Sequence, residues 1–409
     1  YLLPEPLRRG LFLTNYCYIK NNNITITLYK IYKITFKFIH TTFKGNFANK
    51  HLFNNFLSRY ASGTENFVSL RRKKDKMTKM SRIRLTYCII LVLLLDSAMA
   101  YAQPPYNGDI MDNVEFLSSG ICEGRATGSK GAFEAAAYIR GIFGTANLDP
   151  LFDGGYTQSF PVNTENGTVI GRNIVGIFHG NNHGKYDRPY IIVGAHYDHL
   201  GMLEGKMYPG ADDNASGIAI LDYIAGQFAM NRFLRDTASR SVIFIAFDAK
   251  EYSMAGSRAF IDTLFSETGI TDRMTGKKIS ADDIAFMINI DQAGSILEPI
   301  DDTHREYIMV LGSGCLEEYD RAMLDVTGRY FIPELKIGYD YYGSRKFTDL
   351  FMKLSDQASF IDAGIDALLF TSGINFHTYK TTDDLSIIDR KALGMRAKYI
   401  YLYVERLTR

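Results

Sequence analysis

No tryptophan occurs among the 409 residues, cysteine fills only 4 positions and proline 10, and the charges nearly cancel at +1. Four cysteines are too few for a disulfide scaffold, and 35 glycines with 10 prolines exclude a collagen-like repeat. A chain that is 46% apolar and 22% charged can bury a large core, which excludes a disordered protein. The near-absence of net charge speaks against a general nucleic-acid binder. Internal repeats, a long Pro/Ser linker and a second apolar core are also missing, so one folded domain is the simplest organisation.

These averages conceal two different parts. Residues 1–76 carry 14 Lys and Arg against 3 Asp and Glu, and Phe, Ile, Asn, Lys and Tyr fill 38 of the 76 positions. Neither strand alternation nor capped helical spacing runs through them. A basic arm is one reading. A leader that is not native to the protein is the expected one, because these five residue types follow from AT-rich codons. Residues 77–102 read as a signal peptide: Lys79, Arg82 and Arg84 precede an apolar run at 85–95, followed by Ala98, Ala100 and Ala102. That run is about half the roughly 20 residues a spanning helix needs, so no stable membrane anchor is expected after cleavage, which is placed after Ala102. The expectation is an exported protein, secreted or periplasmic, whose domain covers residues 103–409 with a net charge of −12. It holds Cys122 and Cys315, for which a disulfide and two buried thiols both stay open.

Within residues 103–409, dense apolar runs at 190–195, 241–247, 285–290 and 367–370 predict strands buried on both faces. Segments 131–144, 214–233 and 390–406 predict helices. Alternation of this kind implies an α/β fold, a three-layer αβα arrangement with a mostly parallel central sheet. Ligands in such folds sit beyond the carboxyl ends of the strands. There the sequence places His196-Tyr-Asp198-His199, Asp248-Ala-Lys250-Glu251, Asp291-Gln-Ala-Gly294 and a segment containing His377 and Tyr379. A loop containing Asp212, Asp213 and Asn214 leads into the second helix. Any one of these residues alone would read as a cap or a surface side chain. Together they supply the imidazole and carboxylate donors that suit zinc.

The blocks Gly194-Ala-His-Tyr-Asp-His-Leu-Gly201 and Pro-Gly-Ala-Asp-Asp-Asn-Ala-Ser-Gly at 209–217 resemble the co-catalytic zinc exopeptidases. That family includes secreted bacterial aminopeptidases, glutamate carboxypeptidase and glutaminyl cyclase. Further matching blocks are Glu123-Gly-Arg125-Ala-Thr127-Gly128-Ser129, Gly171-Arg-Asn-Ile-Val-Gly176 and Ser355-Asp356-Gln357. The resemblance implies two zinc ions, about 3.5 Å apart as is typical of two-metal sites. It assigns Asp212 as the bridge, with a cis peptide to Asp213, His196 and Asp291 to one ion, and Glu251 and His377 to the other. Asp198 would accept the second ring N–H of His196 and fix its tautomer.

Two positions depart from the family pattern. The glutamate that serves the family as general base is Lys250 here, and a protonated lysine cannot accept a proton. Lys250 either turns neutral and acts as base, replaces one zinc by pairing with Glu251 or Asp212, or points away. The family's last histidine also stands four residues before an aspartate, whereas four before Asp383 is Tyr379 and His377 is six away. His377 is the expected ligand, since imidazole binds zinc better than a phenol. The resulting expectation is an aminopeptidase acting on a peptide or small aminoacyl substrate, with altered chemistry at Lys250. Glutaminyl cyclase-like chemistry and a pseudopeptidase that binds without turnover are the alternatives.

Overall fold

The computed structural model describes residues 109–409 except 182–185, 232, 233, 235, 236 and 297–305. The expected leader and signal peptide lie outside the described residues. The strands are β1 (Asp149–Pro150), β2 (Thr157–Thr164), β3 (Gly167–Phe178), β4 (Tyr190–His196), β5 (Gly201–Leu203), β6 (Lys206–Tyr208), β7 (Ser241–Phe247), β8 (Ile270–Asp272), β9 (Lys277–Ile279), β10 (Ile284–Ile290), β11 (Tyr307–Leu311), β12 (Lys336–Gly338) and β13 (Ala367–Thr371). The helices are α1 (Ile110–Ser118), α2 (Lys130–Thr145), α3 (Ser216–Met230), α4 (Ala255–Phe265), α5 (Glu318–Phe331), α6 (Arg345–Phe351), α7 (Gln357–Asp362) and α8 (Arg390–Leu407).

The main sheet has the order β1-β3-β7-β4-β10-β13-β11-β12, with β2 paired to β3. Its four central strands β7, β4, β10 and β13 run parallel, and the antiparallel pairings lie toward the edges. Every residue of β4, β7 and β10 is buried. Alternate side chains serve opposite faces, as the period of two in a strand requires. In β7, Val242, Phe244 and Ala246 pack toward α2, α3 and α8, whereas Ile243, Ile245 and Phe247 pack toward α4 and α7. Sheet and helices thus form the expected three-layer αβα arrangement.

The helices start where side chains can take up orphan amides. Ser129 accepts from Ala132 N at the start of α2, and Asp389 from Ala392 N at the start of α8. The expected helix at 214–233 begins two residues late. Residues Ala211–Ala215 form a π turn instead, entered through Gly210 at φ 58°. Cys122 is buried, Cys315 is exposed and both are free thiols, so the disulfide is not formed.

Candidate metal and active site

Because β7, β4, β10 and β13 run parallel, their carboxyl ends open on one edge of the sheet. His196 ends β4, Asp248 to Glu251 follow β7, and Asp291 follows β10. There His196 Nε2 lies 3.3 Å from Asp291 Oδ1 and 3.4 Å from Asp213 Oδ1. The ligand atoms of His196, Asp213 and Asp291 all fall within 4.8 Å of one another, as do those of a second group, His199, Asp213 and Glu251.

Four sequence expectations differ from the placement in the structure. The carboxylate shared by both groups belongs to Asp213, not Asp212, and the cis peptide joins Asp213 to Asn214. Asp212 is committed elsewhere: Oδ1 accepts from Gly294 N at 2.7 Å and Oδ2 from Asn375 Nδ2 at 3.0 Å. Asp213 receives no hydrogen bond on either side-chain oxygen and faces the cluster. Asp198 does hold His196, but through its backbone carbonyl, which accepts from Nδ1 at 3.1 Å. Its carboxylate lies 3.6 Å from that nitrogen and accepts instead from Lys250 N and Glu251 N, at 2.9 and 3.0 Å. His377 stands apart from both groups, partly exposed, with Nδ1 2.9 Å from Thr382 Oγ1. Tyr379 takes the place beside the cluster, stacked on His199 with its hydroxyl 3.3 Å from Lys250 Nζ.

The reason for the last exchange lies in Asp383. Its carboxylate accepts from the backbone nitrogens of Asp212 and Asp213 at 2.7 and 3.1 Å, which anchors the chain after β13 against the Asp213 turn. The residue four before that anchor, not six, then faces the metal-capable groups.

Lys250 points into the cluster. Its ammonium is 3.3 Å from Glu251 Oε1 and 3.7 Å from Asp213 Oδ1. Burial opposes its charge, but Asp213, Asp291 and Glu251 outweigh burial and hold it well above the usual lysine value. Lys250 is therefore a cation. Burial pushes Glu251 up to about 7 against the pull of Lys250, and brings His199 down to about 4, so the His199 ring is neutral. Neither ring nitrogen of His199 has a hydrogen-bond partner.

The remaining sequence blocks brace this edge. Arg125, fully buried, donates to the carbonyls of Leu117, Tyr197, Pro209 and Gly210 at 2.6 to 2.8 Å. Thr127 Oγ1 donates to Asp248 Oδ1 at 2.8 Å, while Asn173 Oδ1 accepts from Asp248 N at 3.0 Å. Asn289 Nδ2 donates to Ser355 Oγ and Gln357 Oε1. Ala249 and Tyr379 both sit at φ 60°, strained backbone beside the cluster of the kind that collects at functional sites.

The family model described as peptidase family M28 matches residues 173–404. The chain belongs to peptidase family M28. Leucine aminopeptidase 1 of Aspergillus niger is 28% identical over 143 residues, 34% of this chain and 33% of that protein. A BOS complex subunit of Danio rerio is 27% identical over 113 residues, 27% of this chain and 18% of that protein. The M28 chain thus spans a third or less of these two relatives. The zinc aminopeptidase from Bacillus subtilis superposes with a TM-score of 0.51 at 14% identity, covering 74% of this chain and 95% of that one. That likeness is one of fold.

The donors of the first group fit zinc: one imidazole nitrogen and two carboxylates, with Nδ1–H of His196 turned to a carbonyl and Nε2 left for a metal. In the second group Lys250 Nζ already stands 3.3 Å from Glu251 Oε1, and it also approaches Asp213 Oδ1, the oxygen that faces His196.

Proposed function

We propose that this M28 chain is an exported, zinc-dependent exopeptidase-type hydrolase that takes the amino end of a peptide or a small aminoacyl compound. The observation that carries the reading is the His196–Asp213–Asp291 group at the open edge of the parallel strands. Zinc held there would supply Lewis acidity to the scissile carbonyl. Asp198 orients His196 through its carbonyl and, through its carboxylate, presents the backbone of Lys250 and Glu251. Charged Lys250 has no lone pair to take a proton, so turnover is slow. A positioned general base is worth about 10²–10⁴ in rate.

A second reading, binding without turnover, is favoured by Lys250 and Tyr379 standing where a proton acceptor and an imidazole are expected. One set of relatives is also named as a complex subunit rather than a peptidase.

Hydrolysis of an aminoacyl p-nitroanilide separates the two readings. Slow, zinc-dependent turnover that rises at least about 10²-fold in Lys250→Glu supports the hydrolase. Zinc-loaded protein that is inert both with Lys250 and as Lys250→Glu supports binding alone.

A further inference from the structure

We propose that the Lys250 ammonium is the resident cation of the second half of this cluster, so that the protein takes one divalent metal, at His196, Asp213 and Asp291, and excludes another. The geometry is that of a cation held by its counter-charges. Nζ has Glu251 Oε1 at 3.3 Å, Asp213 Oδ1 at 3.7 Å and the Tyr379 hydroxyl at 3.3 Å. The Tyr379 ring closes over it, 5.6 Å from Nζ to the centroid. Asp213 and Glu251 are two of the three side chains of the second metal-capable group. A dication there would meet an ammonium a few ångströms away, with Glu251 Oε1 already paired to it.

The third member of that group, His199, shows what Lys250 locks out. His199 is 2% exposed, both ring nitrogens lack a hydrogen-bond partner, and one of them lies within 4.8 Å of a carboxylate oxygen of Asp213 and of Glu251. Removing the ammonium leaves one imidazole and two carboxylates together, a donor set that suits zinc. Lys250 therefore acts as a built-in substitute for a metal, and His199 is a latent ligand that serves only when Lys250 is gone.

The inference rests on the same site as the proposed function, but its test needs no substrate, so failure to hydrolyse and failure of the inference are distinguishable. Zinc per folded chain is measured by elemental analysis and native mass spectrometry on the unaltered protein, on Lys250→Met, and on Lys250→Met with His199→Ala. The expected counts are one, two and one. Two zincs in the unaltered protein, or none, overturn the proposal, and that count decides even if the variants do not fold. A folded Lys250→Met that still holds one zinc overturns it too. A folded double variant that holds two overturns the role of His199.

Discussion

Asp212 and Asp213 carry the same carboxylate on consecutive residues, and their surroundings divide them. Asp212 meets the Gly294 amide and the Asn375 side chain, while Asp213 meets two imidazoles and an ammonium. Burial raises the Asp212 carboxyl, whereas around Asp213 the charges of Lys250 and His196 overcome burial and hold it below the usual carboxylate range. Asp213→Asn is therefore expected to abolish zinc binding. Asp212→Asn keeps it, because an amide oxygen still accepts from Gly294. Equilibrium zinc titration of the two variants checks this, and equal losses would contradict the division. Sequence pattern narrowed the shared carboxylate to this pair and named Asp212, whereas Asp213 is the one that belongs to both groups. Which of two adjacent carboxylates turns inward depends on donors that arrive from residues 82 and 163 positions away.

At the scale of elements, one tie is the Arg125 guanidinium, which joins the end of α1 to the chain after β4 and to the turn that presents Asp213. Its four carbonyl acceptors are buried by the same contact. Arg125→Met leaves the carbonyls of Leu117, Tyr197 and Pro209 without this donor, while Gly210 O keeps Ala215 N, at about 1–3 kcal/mol for each group that finds no water. The expected loss exceeds about 3 kcal/mol in urea denaturation, and a loss under about 1 kcal/mol would show that water replaces the guanidinium. The predicted helices and fully buried strands were legible because a dense apolar run or a helical apolar stripe is a local property. Strand 241–247 was read to the residue, and helix 390–406 came within one. The short edge strands β1 and β12 and the hairpins β5–β6 and β8–β9 were not read, since two or three residues carry no periodicity.

Across the whole molecule, the charge balance makes stability depend on pH. Burial pushes the carboxyls of Asp248, Asp356 and Asp383 up to about 7, 6 and 8, and the carboxylates around His196 hold it well above its usual value despite burial. Each of these groups binds its proton more tightly folded than unfolded, so stability falls as pH rises, between about pH 4 and the folded values for the three carboxyls and above about pH 6.5 for His196. His199 has the opposite sign, since its folded value of about 4 lies below that of an unfolded histidine, near 6.5. It offsets the carboxyls only between those two values. From about pH 6.5 to 8 the metal-free protein is therefore expected to lose thermal stability as pH rises. Asp356→Asn should flatten that slope between about pH 4 and 6, removing a cost of about 2–3 kcal/mol at neutral pH. Melting temperatures of zinc-free protein across this range test both statements, and a rise in stability from pH 6.5 to 8 would contradict the first. Among the described residues no helix is long and apolar enough to cross a membrane.

Sequence alone determined the αβα architecture, the strand ends at which chemistry collects and the presence of Lys250 where a proton acceptor was expected. These depend on apolar periodicity and on residue types within short blocks, which are local. Only the tertiary structure decided that Asp213 rather than Asp212 faces the cluster, that Tyr379 displaces His377, and that Lys250 reaches inward to Asp213 and Glu251. Each of those outcomes depends on partners far away in the chain. Asp383 anchors two amides 171 and 170 residues back, and the Asp198 carboxylate pins the backbone of Lys250 52 residues on. Spacing along the chain cannot specify such contacts, because they exist only once the strand ends have been brought together.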